Sequence, residues 1–261
     1  MVNKMFETLR GRIIRLALRV KSSLGGKTTV FKLKSGDMFN VRNIDEVGIQ
    51  LMNGERFEKG IKEAILSRVS EGMTVLDIGA NIGYYTVLMA RRVGAKGKVI
   101  AFEPNPVVFD ELRTNVVLNK YENVILEKIA LSDSNGYAKL YLPAKGREAH
   151  GSLKSNETFV TKNEMDVKTE KLDDVLTRLC IDNVDFIKMD VEGAERLVFN
   201  GAKKLLSSRE RPVIIFECAE NLCRAFGHRI YDVLSYLNAF DYVIEEVCWG
   251  TWLALPGYRQ K

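Results

Sequence analysis

From residue 74 onward, short apolar runs alternate with segments of helical period, which is the pattern of a parallel sheet with helices between its strands. We therefore predict an α/β, Rossmann-like, doubly wound domain with helices on both faces of the sheet. The predicted strands are 75–78, 98–103, 124–131, 184–192 and 212–219, the predicted helices are 84–93, 107–119, 193–208 and 231–240, and a strand pair follows at 242–247 and 252–255.

The first 70 residues follow other patterns. Residues 5–20 carry apolar side chains on one helical face and mostly basic side chains on the other. Residues 28–34 alternate and 38–41 return after a Ser-Gly-Asp turn, which predicts a β-hairpin. A helix over 54–69 then leads into the main strand, and we expect this region to cover one mouth of the domain. The predicted units are an extension, 1–53, and a main domain, 54–261.

Positive charge is concentrated at the N-terminus. The chain has 261 residues and a net charge of +5; residues 1–34 carry nine Lys or Arg and a single Glu, or +8, which leaves the remainder at −3. A nucleic-acid enzyme needs a basic surface around its site, so a mildly acidic main domain disfavours nucleic acid as a partner.

The basic amphipathic helix has two interpretations. Residues 4–21 would suit peripheral contact with an anionic membrane surface. The alternative is a helix docked on its own domain or on a dimer mate, with its charges in water. No apolar run approaches the length that spans a bilayer, and the N-terminus lacks a signal-peptide pattern, so we expect a cytoplasmic protein. The oligomeric state is not predicted.

The cysteines predict no metal centre. The four cysteines form no C-x-x-C pair, and only His150 and His228 could join them in a zinc site. We expect them to be small core residues in a reducing compartment.

The most informative stretch runs from Thr74 to Thr86, where a buried strand, a glycine turn and a helix follow one another. Gly79 and Gly83 flank Asn81, and glycine serves where the backbone takes positive φ or touches a ligand. This arrangement predicts a cradle for a nucleotide-sized ligand at the helix N-terminus.

Two carboxylates indicate which ligand this cradle binds. Asp77 ends the strand before the turn, where it would repel a diphosphate and attract an ammonium group. Glu103 ends the next strand, where an acid can accept both hydroxyls of a ribose. The spacing Gly79-x-x-x-Gly83 also departs from the G-x-G-x-x-G of dinucleotide sites. An acid for an amine and an acid for a ribose together predict S-adenosylmethionine (SAM) as the cofactor.

Charged residues also end the fourth strand. Because strand period is two, Lys188 and Asp190 point the same way and Glu192 follows at the exit. Charges in a buried strand are costly unless paired, so the series predicts a catalytic site, the alternative being a buried Lys–Asp pair with a structural role. For methyl transfer to a hydroxyl we expect Asp190 to be the general base. Lys188 would orient Asp190 or act as the base itself. Glu192 and Glu217 would hold other hydroxyls of the acceptor.

Two further segments could contact ligands. Ser132 and Asp133 follow the third strand, where either could bond the adenine amino group or cap a turn. The polar stretch 144–162 is long for a loop inside a compact domain, and such loops are often functional. His150 lies on it and is a candidate catalytic residue, the alternative being a surface histidine.

Four motifs in this order resemble the FkbM-type family of SAM-dependent methyltransferases. The resemblance covers roughly residues 45–220. The basic N-terminal helix lies outside it. The motifs are Asp77-Ile-Gly-Ala-Asn-Ile-Gly-Tyr84, Phe102-Glu-Pro-Asn-Pro106, Ala130-Leu-Ser-Asp133 and Ile187-Lys-Met-Asp-Val-Glu-Gly-Ala-Glu195.

This resemblance implies a seven-stranded methyltransferase sheet and O-methylation, with a sugar, glycan, glycolipid or other small molecule supplying the hydroxyl. Family members often have a serine-rich run in the middle loop, where this chain has His150-Gly-Ser-Leu153, so Ser152 is a candidate for substrate binding. Tyr84, at the end of the first motif, is a candidate cofactor residue. The resemblance further implies cofactor contacts at Asp77, Gly79, Asn81, Gly83, Glu103 and Asn105.

Three rival functions remain for comparison. An RNA or N-methyltransferase is disfavoured by the charge distribution and by the lack of an Asn/Asp-Pro-Pro-Tyr motif. A SAM-binding scaffold without catalysis is disfavoured by the charged series of the fourth strand. An NAD-dependent dehydrogenase is disfavoured by Asp77 and by the glycine spacing.

Overall fold

The computed structural model describes residues 28–42, 46–53, 59–142, 151–155 and 163–257. The strands of those residues are β1 Thr28–Lys32, β2 Met38–Arg42, β3 Thr74–Ile78, β4 Lys98–Phe102, β5 Val124–Glu127, β6 Ala130–Leu131, β7 Gly136–Tyr141, β8 Glu164–Glu170, β9 Phe186–Met189, β10 Val213–Glu217, β11 Tyr242–Cys248 and β12 Thr251–Pro256. The helices are α1 Glu46–Asn53, α2 Lys59–Arg68, α3 Tyr84–Val93, α4 Pro106–Leu118, α5 Leu172–Arg178, α6 Glu195–Asn200, α7 Lys203–Ser207, α8 Glu220–Ala225 and α9 Ile230–Asn238.

The centre of the fold is a seven-stranded sheet in the order β11-β12-β10-β9-β3-β4-β5. The five strands from β10 to β5 pair in parallel, and β12 runs antiparallel to both β10 and β11. The order reverses at β3, because the chain moves outward to β4 and β5 and then returns to β9. This confirms the predicted Rossmann-like α/β sheet, and the reversal puts a ligand crevice at the carboxyl ends of β3 and β9.

Both faces of the sheet are covered, as apolar parallel strands require. Successive residues of β3 contribute to opposite cores: Val75 packs with α2 and α3, whereas Leu76 packs with α5, α6 and α9. Asp77 and Lys188 lie directly opposite each other in the β3–β9 register. Two charged residues therefore share the carboxyl end of the sheet on the face that α3 covers.

Two predicted elements are each broken in two, because contacts distant in sequence override the local pattern. The predicted strand 124–131 divides into β5, in the main sheet, and β6, which pairs with β8 in a separate three-stranded sheet. The predicted helix 193–208 divides into α6 and α7 at Gly201, where an added Cβ would lie 2.1 Å from the carbonyl oxygen of Ser132. Helices α1 and α8 were not predicted from the sequence.

The second sheet, of β6, β8 and β7, brings the middle of the chain to the ligand crevice. β7 and β8 form an antiparallel pair, and residue Ser152 extends it through a bridge to Tyr141. The backbone bonds of that bridge are 2.8 Å and 3.0 Å long. This holds part of the predicted polar loop in a defined place.

The predicted hairpin is confirmed as β1 and β2, and two buried or partly buried amides anchor it. Asn115 on α4 accepts a hydrogen bond from the Asn40 N–H (2.7 Å) and donates one to the Ile82 carbonyl (2.8 Å). Asn119, one turn later, accepts from the Met38 N–H and donates to the Met38 carbonyl. The hairpin is thus joined to the helix that follows β4 and to the glycine turn.

We expect Asn115→Leu to destabilise the fold substantially. The side chain is fully buried, and leucine of similar size would leave the Asn40 N–H and the Ile82 carbonyl without their partner. Each unsatisfied buried group costs about 1–3 kcal/mol, so the free energy of unfolding should fall by about 2–6 kcal/mol in urea denaturation. The matched control is Asn135→Leu, another bridging amide that is exposed. A loss no larger than that of the control would contradict the anchoring role.

Three expectations about the N-terminal part remain predictions. The amphipathic helix of residues 5–20 and the membrane contact of 4–21 lie outside the described residues, as does the boundary at 53/54. Helix α2 falls within the predicted helix 54–69. No helix of the described ranges combines the length and the apolar character needed to cross a membrane.

Candidate active site

A cleft of about 990 Å³, open solvent at its mouth included, lies at the carboxyl ends of β3, β4 and β9. It is where the reversal of strand order predicts a ligand. Seven of the residues predicted from the sequence line it: Gly79, Asn81, Tyr84, Glu103, Lys188, Asp190 and Glu192.

The glycine turn forms one wall of the cleft and touches the loop after β9. Gly79 has φ +75°, and a Cβ built on it would lie 1.8 Å from the carbonyl oxygen of Asp190. The Gly79 and Ala80 N–H groups both donate to the Phe102 carbonyl, at 3.0 Å and 2.9 Å. Only a residue without a side chain fits here. The close contacts that Gly79 makes hold the ends of β3, β4 and β9 together.

Lys188 is the electrostatic centre of the site. Its ammonium nitrogen lies 3.8 Å from a carboxylate oxygen of Asp77 and 3.8 Å from one of Asp190. It also donates to the Gly79 carbonyl at 3.3 Å and lies 5.2 Å from the centre of the Tyr85 ring. The side chain is 6% exposed, so little water screens these interactions. The lysine therefore holds the Asp190 carboxylate at the cleft.

Asp77 differs from what the sequence suggested. Its carboxylate is fully buried, does not line the cleft, and accepts a 2.6 Å hydrogen bond from the Thr86 hydroxyl. Burial raises the pKa of Asp77, while the charge of Lys188 acts to lower it. In this structure the contacts of Asp77 are structural, because they support Lys188 and α3. A contact between Asp77 and an ammonium group stays a prediction, and it would need the carboxylate to be uncovered.

Glu103 lies where the sequence predicts, at the end of β4 and on the cleft wall. One carboxylate oxygen accepts from the Asn81 N–H at 3.0 Å and the other from the Asn105 N–H at 2.9 Å. Burial raises the pKa of Glu103 to about 7, despite these two hydrogen bonds. Each carboxylate oxygen can accept a second bond, so the group can still receive two hydroxyls.

Besides Asp77, four predicted cofactor residues do not line the cleft. Gly83, with φ +89°, caps α3, and Asn105 caps α4 by accepting from the Val107 N–H at 3.0 Å. The backbone of Ser132 pairs with Glu170 of the second sheet, which carries Ser132 and Asp133 past the cleft. Their direct contact with a cofactor stays a prediction, and the contacts described here are structural.

The predicted acceptor residues fall into three positions. The hydroxyl of Ser152 is buried and donates to the Glu192 carbonyl at 2.9 Å, so it fixes the loop after β9 and does not line the cleft. Glu217 lies opposite Thr251 in the sheet, also off the cleft wall. Glu192 lines the cleft with φ +52°, an uncommon backbone for a side chain of this size. His150 lies outside the described residues.

Much of the remaining lining is apolar and was not predicted. Val47 of α1 contributes from the N-terminal side, which fits the expected cover over one mouth of the domain. Tyr85, next to the predicted Tyr84, contacts Lys188. An apolar residue at a strand end has the same sequence signature whether it faces core or ligand, so periodicity cannot identify these positions. The apolar lining includes Ile78, Phe102, Ile129, Ala130, Leu131, Leu140, Leu153 and Val191.

Comparison with known proteins places this site in a family. The family described as Methyltransferase FkbM domain matches residues 77–244, which begins at Asp77 and includes β9 and β10. The match covers more than half of the chain.

Three curated relatives are similar over shorter stretches. Methyltransferase sdnD from Sordaria araneosa is 30% identical over 154 residues, 49% of this chain and 59% of that protein. Hexuronic acid methyltransferase AglP from Haloferax volcanii is 29% identical over 170 residues, 65% of this chain and 66% of that protein. 2-O-methyltransferase NoeI from Sinorhizobium fredii is 29% identical over 148 residues, 51% and 58% respectively. The chain spans less than two thirds of the length of each of these relatives.

Proposed function

The chain belongs to the FkbM methyltransferase family, and from that premise we propose that it transfers a methyl group from SAM to a hydroxyl of a sugar, glycan, glycolipid or other small molecule. The observation that carries the proposal is the Lys188–Asp190 pair, which places a carboxylate on the cleft beside the glycine turn. SAM is the cofactor of this family of enzymes and supplies a methyl group on a sulfonium leaving group.

The cleft suits that cofactor in three respects. Glu103 keeps acceptor capacity for a ribose diol, as described above. Gly79 lets the turn pack directly against the Asp190 carbonyl, which keeps the turn and the loop after β9 together on the cleft wall. The apolar wall of Ile129, Ala130 and Leu131 offers a surface on which a flat adenine would pack. The polar and apolar parts of the cleft are thus distributed as an adenosine with a charged tail requires.

In the proposed mechanism Asp190 accepts the proton of the attacking hydroxyl. Its carboxylate is about one-third exposed, so an acceptor can reach it, and Lys188 holds it from behind. Lys188 lies 3.8 Å from a carboxylate oxygen of Asp77 and 3.8 Å from one of Asp190, so its contacts suit the orienting role over that of a base. Alignment of the hydroxyl with the methyl carbon can lower the barrier by about 7–11 kcal/mol, so positioning carries most of the catalysis. Glu192 would hold a neighbouring hydroxyl.

The acceptor class is argued from chemistry and similarity together. The carboxylate residues Asp190 and Glu192, which line the cleft, match an acceptor with several hydroxyls. Two relatives are named for a hexuronic acid and for 2-O-methylation, which supports a sugar-like acceptor. The net negative charge beyond residue 34 supports an acceptor other than nucleic acid.

Two measurements test this function. Calorimetry of the purified chain should detect SAM and S-adenosylhomocysteine but not NAD. Incubation with methyl-labelled SAM and fractionated cell extract should then label a glycan, glycolipid or small molecule. The label should resist mild alkali, since methyl ethers do and carboxyl methyl esters do not. Absence of SAM binding, alkali-labile label, or label confined to RNA would each overturn the proposal.

We expect cofactor affinity to depend on pH through Glu103. A carboxylate accepts ribose hydroxyls better than a neutral carboxyl group, and in the free protein its pKa is raised to about 7 by burial. Binding should therefore strengthen as pH rises through 7 and level off above it. One pH unit below that pKa the affinity for S-adenosylhomocysteine should be about tenfold weaker, with a proton released on binding.

The control for this pH dependence is Glu103→Gln. Glutamine cannot ionise, so the variant should bind more weakly and its affinity should not change between pH 6 and pH 8. Calorimetry in two buffers of different ionisation enthalpy measures the released proton. A wild-type affinity that is flat across this range, or a variant that retains the slope, would show that Glu103 does not act in this way.

A further inference from the structure

A second cluster of reactive side chains lies outside the cleft. Glu195 begins α6, Cys218 follows β10, and Cys223 lies in α8. One carboxylate oxygen and the two sulfurs all lie within 4.8 Å of one another, and each of the three residues is 1% exposed. Three metal-ligating groups from three elements therefore converge in the interior.

The carboxyl group of Glu195 is incompletely satisfied. Its Oε1 accepts a hydrogen bond from the Gly193 N–H at 3.0 Å, whereas Oε2 is buried without a hydrogen-bond partner among the described residues. An unpaired buried carboxylate oxygen destabilises the folded state, so its presence needs a physical reason. Burial raises the pKa of Glu195 to about 8.

The two thiols also hold protons that a cation would replace. Their sulfurs are 3.0 Å apart. Their hydrogen bond raises the pKa of Cys218, which burial raises further, and lowers the pKa of Cys223. The two thiols therefore differ, and the Cys223 thiolate forms more easily than the Cys218 thiolate. Thiolate and carboxylate together are ligands that zinc accepts.

We propose that Glu195, Cys218 and Cys223 form a binding site for a thiophilic divalent cation, with zinc as the cation that this donor set fits best. The ligands are Oε2 of Glu195 and the two Sγ atoms, and a water molecule completes a tetrahedron. Zinc binds the thiolate and carboxylate forms, so binding releases the two thiol protons to solvent, together with the carboxyl proton from the fraction of Glu195 that is protonated. This departs from the sequence-based expectation of no metal centre, because the third ligand is a glutamate rather than a histidine.

The geometry needs a small adjustment. With Zn–S bonds of about 2.3 Å, two sulfurs on a tetrahedral zinc ion lie about 3.8 Å apart. The sulfurs of this pair would therefore separate by somewhat less than 1 Å on binding. Since the ligands come from α6, α8 and the end of β10, the ion would tie α8 to the sheet and stabilise the fold, as structural metal sites do.

The test is a metal titration of the full-length chain. Protein stripped with a chelator should bind one zinc ion per chain in calorimetry, with release of two to three protons and a higher melting temperature. Cobalt should replace zinc and give the intense sulfur-to-cobalt charge-transfer band of thiolate ligation. The double variant C218S/C223S should lose both signals, and E195Q should weaken zinc binding at least tenfold.

The matched control is C180S/C248S, because Cys180 and Cys248 are the exposed cysteines. This control should bind zinc like the wild type. If C218S/C223S fails to fold, the cobalt spectrum of the wild type and of E195Q still decides. The proposal is overturned by an absence of stoichiometric binding, by binding that C180S/C248S abolishes, or by thiol titration of the unfolded, unreduced protein that shows Cys218 and Cys223 joined in a disulfide.

Discussion

Asp190→Asn is expected to lower methyl-transfer turnover by about 10²–10⁴-fold, the range that general base catalysis contributes. The amide keeps the size of the side chain but cannot accept the hydroxyl proton. Affinity for S-adenosylhomocysteine should stay within about threefold of the wild type, because the proposed role of Asp190 is to contact the acceptor rather than the cofactor. The measurement is single-turnover transfer to the acceptor that the labelling experiment identifies, with cofactor affinity from calorimetry.

The control for Asp190→Asn is the same Asp-to-Asn substitution at a carboxylate on the surface. Asp110→Asn removes an exposed charge that pairs with Arg113 on α4, at a distance from the cleft wall. It should leave turnover unchanged. Near-normal turnover of Asp190→Asn with intact cofactor binding would assign the base to another residue. Lys188→Met would then test whether Lys188 is that base or only orients Asp190.

Gly79→Ala is expected to have the second-largest effect, because it damages fold and site together. The new Cβ would meet the Asp190 carbonyl at 1.8 Å and would hold an alanine at φ +75°. Backbone strain of about 1–2 kcal/mol and overpacking of about 1–3 kcal/mol should together lower the free energy of unfolding by about 2–5 kcal/mol. Displacement of Asp190 should also lower turnover by about 10²-fold in whatever protein remains folded.

Gly72→Ala separates these two causes. Gly72 also has positive φ, +85°, but nothing lies within 4 Å of an added Cβ. This variant should show the backbone strain alone, about 1 kcal/mol in urea denaturation, with cofactor affinity unchanged. Equal losses for both variants would mean that the close approach of Gly79 to Asp190 is not what makes glycine necessary there.

The sequence predicted the parts of the site that combine charge with an element end. Lys188 and Asp190 stand out because charges in an apolar strand need a reason, and Glu103 because it ends the next strand outward. The structure brings these three to one cleft. Asp77 is also a charged residue near a strand end, but it is buried below the cleft wall. Residues on the same face of a strand can either line a ligand site or pack underneath it. No local pattern distinguishes the two.

The elements that the sequence misassigned depend on contacts far along the chain. Residues 124–131 read as one apolar strand, yet Ala130 pairs with Thr169, about forty residues away, so the strand breaks into two sheets. The helix that ends at Asn200 stops because Gly201 packs against the Ser132 carbonyl. Each of these breaks brings a segment to the cleft or to its support, and none has a signature within its own residues.

One buried side-chain amide couples the glycine turn to the N-terminal hairpin. Asn115 bonds the Ile82 carbonyl in the turn and the Asn40 N–H in the hairpin. Local opening of either segment breaks the same side-chain bridge, so the two should exchange their amide hydrogens as one cooperative unit. A ligand that orders the turn would then slow deuterium uptake in a hairpin that it never touches.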